Sequence, residues 1–188
     1  MIIGEALRKV FEGMTVTYNY EGYPITDTVQ FHHGSQKELN KWIALMNSGN
    51  YNKFPLIWYV RDTYTEFEGV RDVPARLILF QITRPEWLND ERTAETYIKV
   101  LDPLLLKVKD KLEQNQFVNV YSNDIRKKYD VLDEPNYGVN SQNKNDFNST
   151  SSQGTQQITI DPVDAKVIDF FMRIKTDCIL NNKNKIWH

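Results

Sequence analysis

Two short apolar runs followed by one long amphipathic stretch constrain the fold of this chain more than any other feature. The runs Phe54–Val60 (FPLIWYV) and Leu77–Ile82 (LILFQI) are rich in β-branched and aromatic residues, which favours strands covered on both faces. We expect them to pair as a long-armed β-hairpin whose arms reach Arg61–Asp72. Between Asp90 and Glu113, apolar side chains recur at spacings of three and four residues, which predicts a helix packed on the sheet.

Pro103 interrupts this helical pattern. Asp102 before Pro103 is typical of an N-cap followed by proline at the first helical position. We therefore expect a kink or two abutting helices at this point. The apolar stripe continues across the break, so both halves are expected to cover the same sheet.

The segments before this core predict three further elements. Residues 2–12 have the spacing of a short amphipathic helix, and residues 14–20 alternate as a half-buried strand does. Residues 26–31 read as a second extended piece. Ser35 and Glu38 then form a Ser-x-x-Glu capping box, which predicts a helix that ends at Asn47-Ser48-Gly49.

The C-terminal part predicts one more strand and one irregular segment. Apolar and charged residues alternate from Ile168 to Lys175, as in a strand buried on one side. Fourteen of the nineteen residues in Val139–Gln157 are Asn, Ser, Gln or Thr, too polar to offset their ordering entropy. We expect a flexible polar insertion at 139–157 in a single domain spanning 1–188.

Together these elements predict an α+β fold, with a mostly antiparallel sheet and a long-armed β-hairpin packed against two or three helices. The 23 Lys and Arg residues and the 25 Asp and Glu residues give a net charge of −2, unlike the basic excess of most nucleic-acid binders. Cys178 is the only cysteine, which rules out an internal disulfide and is typical of a reducing compartment. We expect no signal peptide and no membrane span.

The adjacent histidines His32 and His33 are the most chemically suggestive pair. Neighbouring side chains in a strand point to opposite faces, so the two imidazoles would rarely share a metal ion. The sequence contains no phosphate-binding loop, dinucleotide fingerprint, Cys-x-x-Cys or nucleophile elbow. We expect no catalytic residue, no cofactor and no metal site. A small metal-dependent hydrolase or nuclease using His32 or His33 with carboxylates remains an alternative.

The order of elements resembles the tail-terminator or tail-completion family of tailed bacteriophages. The resemblance rests on Phe54–Tyr59, Leu77–Thr83, Asp90–Glu113 and Val167–Thr176. Its members form rings at the neck or at the head-proximal end of the tail. The chain departs from the family in its size, in the capped helix at Ser35–Asn47 and in the polar insertion, so the layer it would occupy is open. A ring protein of a short-tailed, crAss-like phage is an equal expectation.

The resemblance implies a non-enzymatic structural virion protein that joins head and tail. Its partners would be copies of itself in a homo-oligomeric ring, on the order of six or twelve, and other phage neck, portal or tail proteins. DNA would be only passing cargo, no membrane would be involved, and assembly would take place in the host cytoplasm. A free adaptor protein that folds its polar segment on a partner is the remaining alternative.

The tip of the predicted hairpin is the expected subunit interface. It is polar yet carries large apolar side chains, and arms extending from a domain can lie against the next subunit, where repeated copies multiply weak contacts. The interface is therefore predicted at Arg61, Asp62, Tyr64, Phe67, Val70, Arg71 and Asp72.

Overall fold

The computed structural model describes residues 3–20, 22–45, 54–61, 63, 65–67, 70–84, 86–116, 118–121, 127–135, 137 and 163–175. Its helices are α1 (Ile3–Phe11), α2 (Gln36–Leu45), α3 (Asn89–Arg92) and α4 (Asp102–Gln114), and a π-helical segment (Thr93–Leu101) joins the last two. We call α3, this segment and α4 together the long helix. The strands are β1 (Thr15–Tyr20), β2 (Tyr23–Thr28), β3 (Gln30–Gly34), β4 (Leu56–Val60), β5 (Thr65–Phe67), β6 (Val70–Ile82), β7 (Val118–Tyr121), β8 (Asp130–Glu134) and β9 (Val163–Lys175).

The main sheet has the strand order β3-β4-β6-β9-β7, with β5 beside β6 and β8 beside β9. Strands β3 and β4 are parallel, and the other pairs in this sheet are antiparallel. Strands β6 and β9 pair along their whole length, from Val70 opposite Lys175 to Ile82 opposite Val163. Strands β1 and β2 form a separate hairpin. The predicted α+β fold with a mostly antiparallel sheet is confirmed.

The two apolar runs pair as predicted, with Leu56 opposite Phe80 and Val60 opposite Arg76. Beyond this pairing, the outer part of β6 is held between β5 and β9. Arms that project from the domain remain a prediction. The polar insertion 139–157 lies outside the described residues.

Two apolar clusters lie on opposite faces of the sheet. The larger one joins α1 and the long helix to one face and includes Leu7, Leu77, Leu104 and Ile168. The smaller one places Leu39 and Ile43 of α2 against the other face. Val163, Ala165 and Val167 belong to this smaller cluster, and residues 163–167 are all buried, so the first half of β9 is buried on both faces. The expected burial on one side, made for Ile168–Lys175, is confirmed from Ile168 to Ile174, where buried and more exposed side chains alternate.

The capping box at the start of α2 is confirmed. The Glu38 carboxylate accepts a hydrogen bond from the Ser35 backbone N–H at 2.6 Å, and the Ser35 hydroxyl accepts one from the Glu38 N–H at 3.2 Å. Each side chain thereby satisfies an amide that the first helical turn leaves free. The expected end at Asn47-Ser48-Gly49 lies outside the described residues.

The expected N-cap at Asp102 is wrong. Leu101 and Asp102 both have right-handed helical dihedrals, and the Asp102 N–H donates to the Tyr97 carbonyl, five residues back. The helix therefore passes through Pro103 with a widened π turn before it, which relieves the clash that a proline ring makes with the preceding turn. The Asp102 carboxylate contacts Lys166 of β9.

Candidate functional site

His32 and His33 lie on opposite faces of the sheet, as the alternation of strand side chains requires. The Nε2 atom of His33 is 2.9 Å from the Glu5 carboxylate of α1, and this hydrogen bond lowers the pKa of Glu5. His32 packs on the other face, where the centroid of its ring lies 5.2 Å from the ring centroid of Trp42 and 6.1 Å from that of Trp58. Burial lowers the pKa of His32, and the charge of Arg8 adds to this effect. The two imidazoles do not form a common site.

Within the part of the chain that the structure describes, no three His, Cys, Asp or Glu side chains are grouped so that they could hold a metal ion. Cys178 lies outside that part.

A charge cluster built on the buried side chains of Arg92, Asp164 and Lys166 connects the long helix and β8 to β9, and sequence reasoning missed it. The Arg92 guanidinium is 3.0 Å from the Asp164 carboxylate, and both side chains are buried. Two residues further along the same face of β9, Lys166 Nζ is 2.7 Å from Asp102 and 2.6 Å from Asp133.

The sequence does contain a faint signal for this cluster. Asp164 and Lys166 continue the alternation of β9 onto the face that carries Ile168, so two charges occur at positions expected to be apolar. Burial opposes the charge of Lys166, but the two carboxylates outweigh it and raise the pKa of this lysine. The Tyr97 ring lies 5.4 Å from its ammonium group. The cluster joins helix to sheet by paired charges, which need specific partners in place.

Helix α2 packs against β3 and β4, and within the part of the chain that the structure describes no helix covers the outer part of this sheet face; we call this region the open sheet face. It consists of Asp72 and Arg76 on β6 with Asp169, Phe171 and Arg173 on β9. Arg76 binds Asp169 through two hydrogen bonds of 2.8 Å, and Arg173 binds Asp72 at 2.7 and 2.9 Å. Phe171 is 39% exposed between these pairs.

The structure separates the predicted interface residues. Val70 and Asp72 lie in the short β5–β6 hairpin, where Phe67 pairs with Val70 and Thr65 with Asp72, and Arg71 lies between them. Arg61 instead reaches the start of α2, with its guanidinium 3.3 Å from Glu38. Asp62 and Tyr64 lie outside the described residues, and the side chain of Phe67 is not described.

These features define the described part of the chain as a three-layer α+β domain in which part of one sheet face is left uncovered by the described helices. No family model matches the chain, and neither a curated protein nor a solved structure matches it significantly. No helix among the described residues is long and apolar enough to cross a membrane.

Proposed function

We propose that this chain is a structural virion protein that forms a ring in the neck or tail of a tailed phage and joins head to tail. The proposal starts from the resemblance in element order. The observation that supports it most is the open sheet face, where the exposed ring of Phe171 lies among charged groups that include the predicted interface residue Asp72. Such mixed surfaces are typical of protein contacts.

A second apolar surface lies on the other side of the domain. Ile98 and Leu106, which we call the helix patch, are mostly exposed although they lie on the long helix that covers the opposite face of the sheet. A contact between two different surfaces is heterologous, and it closes into a ring when the rotation between neighbours permits. We therefore assign the open sheet face and the helix patch as the two sides of one repeated contact.

Light scattering with negative-stain imaging tests this proposal. The wild-type protein is expected to form closed rings, and Phe171→Asp or Leu106→Asp alone is expected to give monomers. A mixture of these two variants keeps one intact pair of surfaces, so it should give dimers that grow no further. Tyr23→Asp is the matched control, because Tyr23 is an exposed aromatic residue on the separate β1–β2 hairpin. A strictly monomeric wild-type protein that also fails to join purified virion parts would refute the proposal.

The hydrolase or nuclease alternative would have to use one histidine alone, since His32 and His33 face different layers. His33 with Glu5 is a His–carboxylate contact of this kind, but no group of three metal-ligating side chains occurs among the described residues. The adaptor alternative rests on the 139–157 segment, outside those residues.

A further inference from the structure

Strand β8 combines three features that the proposed ring does not use. Among the described strands it pairs only with β9. Its two central residues, Val131 and Leu132, are exposed apolar side chains. It also borders a cavity of about 190 Å³ on the face of the sheet that carries α2. We call this cavity the β8 groove.

The register of β8 decides which of its side chains border this groove. Asp130, Leu132 and Glu134 lie opposite Asp169, Val167 and Ala165. Strand residues two apart share a face, so these three project on the α2 side. Asp133 projects to the other side, where it binds Lys166.

The groove has an apolar floor and an acidic rim. Ile78, Leu132 and Val167 contribute apolar surface to its lining, and Leu132 is largely exposed. Arg76 also borders the groove, but its two hydrogen bonds to Asp169 neutralise its charge.

Asp130 and Glu134 then leave the rim negative. Lys127 approaches Asp130 only to 3.7 Å, and both of these side chains are strongly exposed, so this pair gives little compensation.

We propose that β8 is a docking edge for an extended basic segment of another polypeptide, which adds a strand beside β8 and places a lysine or arginine side chain in the β8 groove. An added strand lies about 4.8 Å from its neighbour, so a long side chain reaches across β8 to the floor. Its aliphatic stem covers Leu132 and Val167, and its charged end meets Asp130 or Glu134. Backbone pairing supplies affinity, and the groove supplies the preference for a basic residue.

A labelled synthetic peptide of alternating valine and lysine is the probe, and the same peptide with glutamate in place of lysine is its control. Fluorescence anisotropy is expected to show that the full chain binds the lysine peptide and that added salt weakens the binding. Asp130→Lys or Glu134→Lys should weaken it by about five- to tenfold. Glu12→Lys, a reversal at an exposed acid just after α1, should leave it unchanged. Circular dichroism confirms that each variant is folded.

Amide hydrogen exchange tests the strand addition separately from the charge effect. The lysine peptide is expected to slow exchange within Asp130–Glu134. Equal binding of both peptides, or binding of the lysine peptide without protection of β8, would overturn the proposal. If the protein self-associates, and if this association is both displaced by the lysine peptide and abolished by Glu134→Lys, the occupant is a second copy of this chain. The Phe171→Asp variant separates this edge from the proposed ring contact, because it should bind the peptide normally while failing to form rings.

Discussion

We compare the ion pairs made by three cations of this domain, Arg92, Lys166 and Arg76. Disruption of the buried pair Arg92–Asp164 is predicted to lower the free energy of unfolding most. Asp164 is 0% exposed and Arg92 is 7% exposed, so Arg92→Met leaves a carboxylate that water does not reach. Removing one partner of such a buried pair costs about 3–5 kcal/mol in the free energy of unfolding. The substitution also removes the hydrogen bond from Arg92 Nε to the Trp87 carbonyl at 3.0 Å.

Two matched substitutions show whether partner exposure sets this cost. Lys166→Met leaves Asp102 and Asp133, which are 46% and 54% exposed and remain solvated, so we expect a loss of about 1–2 kcal/mol. Arg76→Met breaks an exposed pair with Asp169 and should cost less than about 1 kcal/mol.

Urea unfolding at neutral pH, followed by tryptophan fluorescence, measures all three variants. The expected order of destabilisation is Arg92→Met, then Lys166→Met, then Arg76→Met. The double variant Arg92→Met with Asp164→Leu should recover most of the loss, because neither buried charge remains. Equal losses in the three single variants would refute the reasoning that burial of the remaining partner decides the cost.

Two further predictions concern the contacts of α1 and α2. Gly4→Ala should lower the free energy of unfolding by about 1–3 kcal/mol, because a Cβ atom there would overlap the imidazole ring of His33. Thermal melts should show a smaller added loss when the same substitution is made in a His33→Ala background. Hydrogen bonds from Ser35 lower the pKa of Glu38 below 4.5. The ionised Glu38 carboxylate therefore stabilises the fold fully above pH 4.5, and this contribution is lost as the pH falls through the lowered pKa. The stability difference between wild type and Glu38→Gln should therefore shrink in acid, and a constant difference would contradict this.

Local patterns predicted the elements that depend on local physics. The capping box at Ser35 and Glu38 forms as expected because its partners are three residues apart. The β4–β6 pairing follows from two apolar runs that had to be buried on both faces. The opposite orientations of His32 and His33 follow from strand alternation alone.

Distant partners decided what the sequence left open. Asp102 was interpreted as a cap because its local context, a following proline, favours one. In the folded chain its carboxylate instead meets Lys166, 64 positions away, and no local pattern reports such a partner. The same holds for the pairing of Arg92 with Asp164.

By itself the sequence determined the fold class, the position of the core strands and the absence of an internal disulfide. The reason is that hydrophobic periodicity is visible within short windows, while composition and cysteine count are properties of the whole chain. Only the tertiary structure decided that, among the described elements, α2 covers just part of its sheet face and β8 lies at an edge beside an acidic groove. The reason is that coverage and exposure depend on which distant elements pack together. The candidate contact surfaces of this protein therefore emerge only from the assembled sheet.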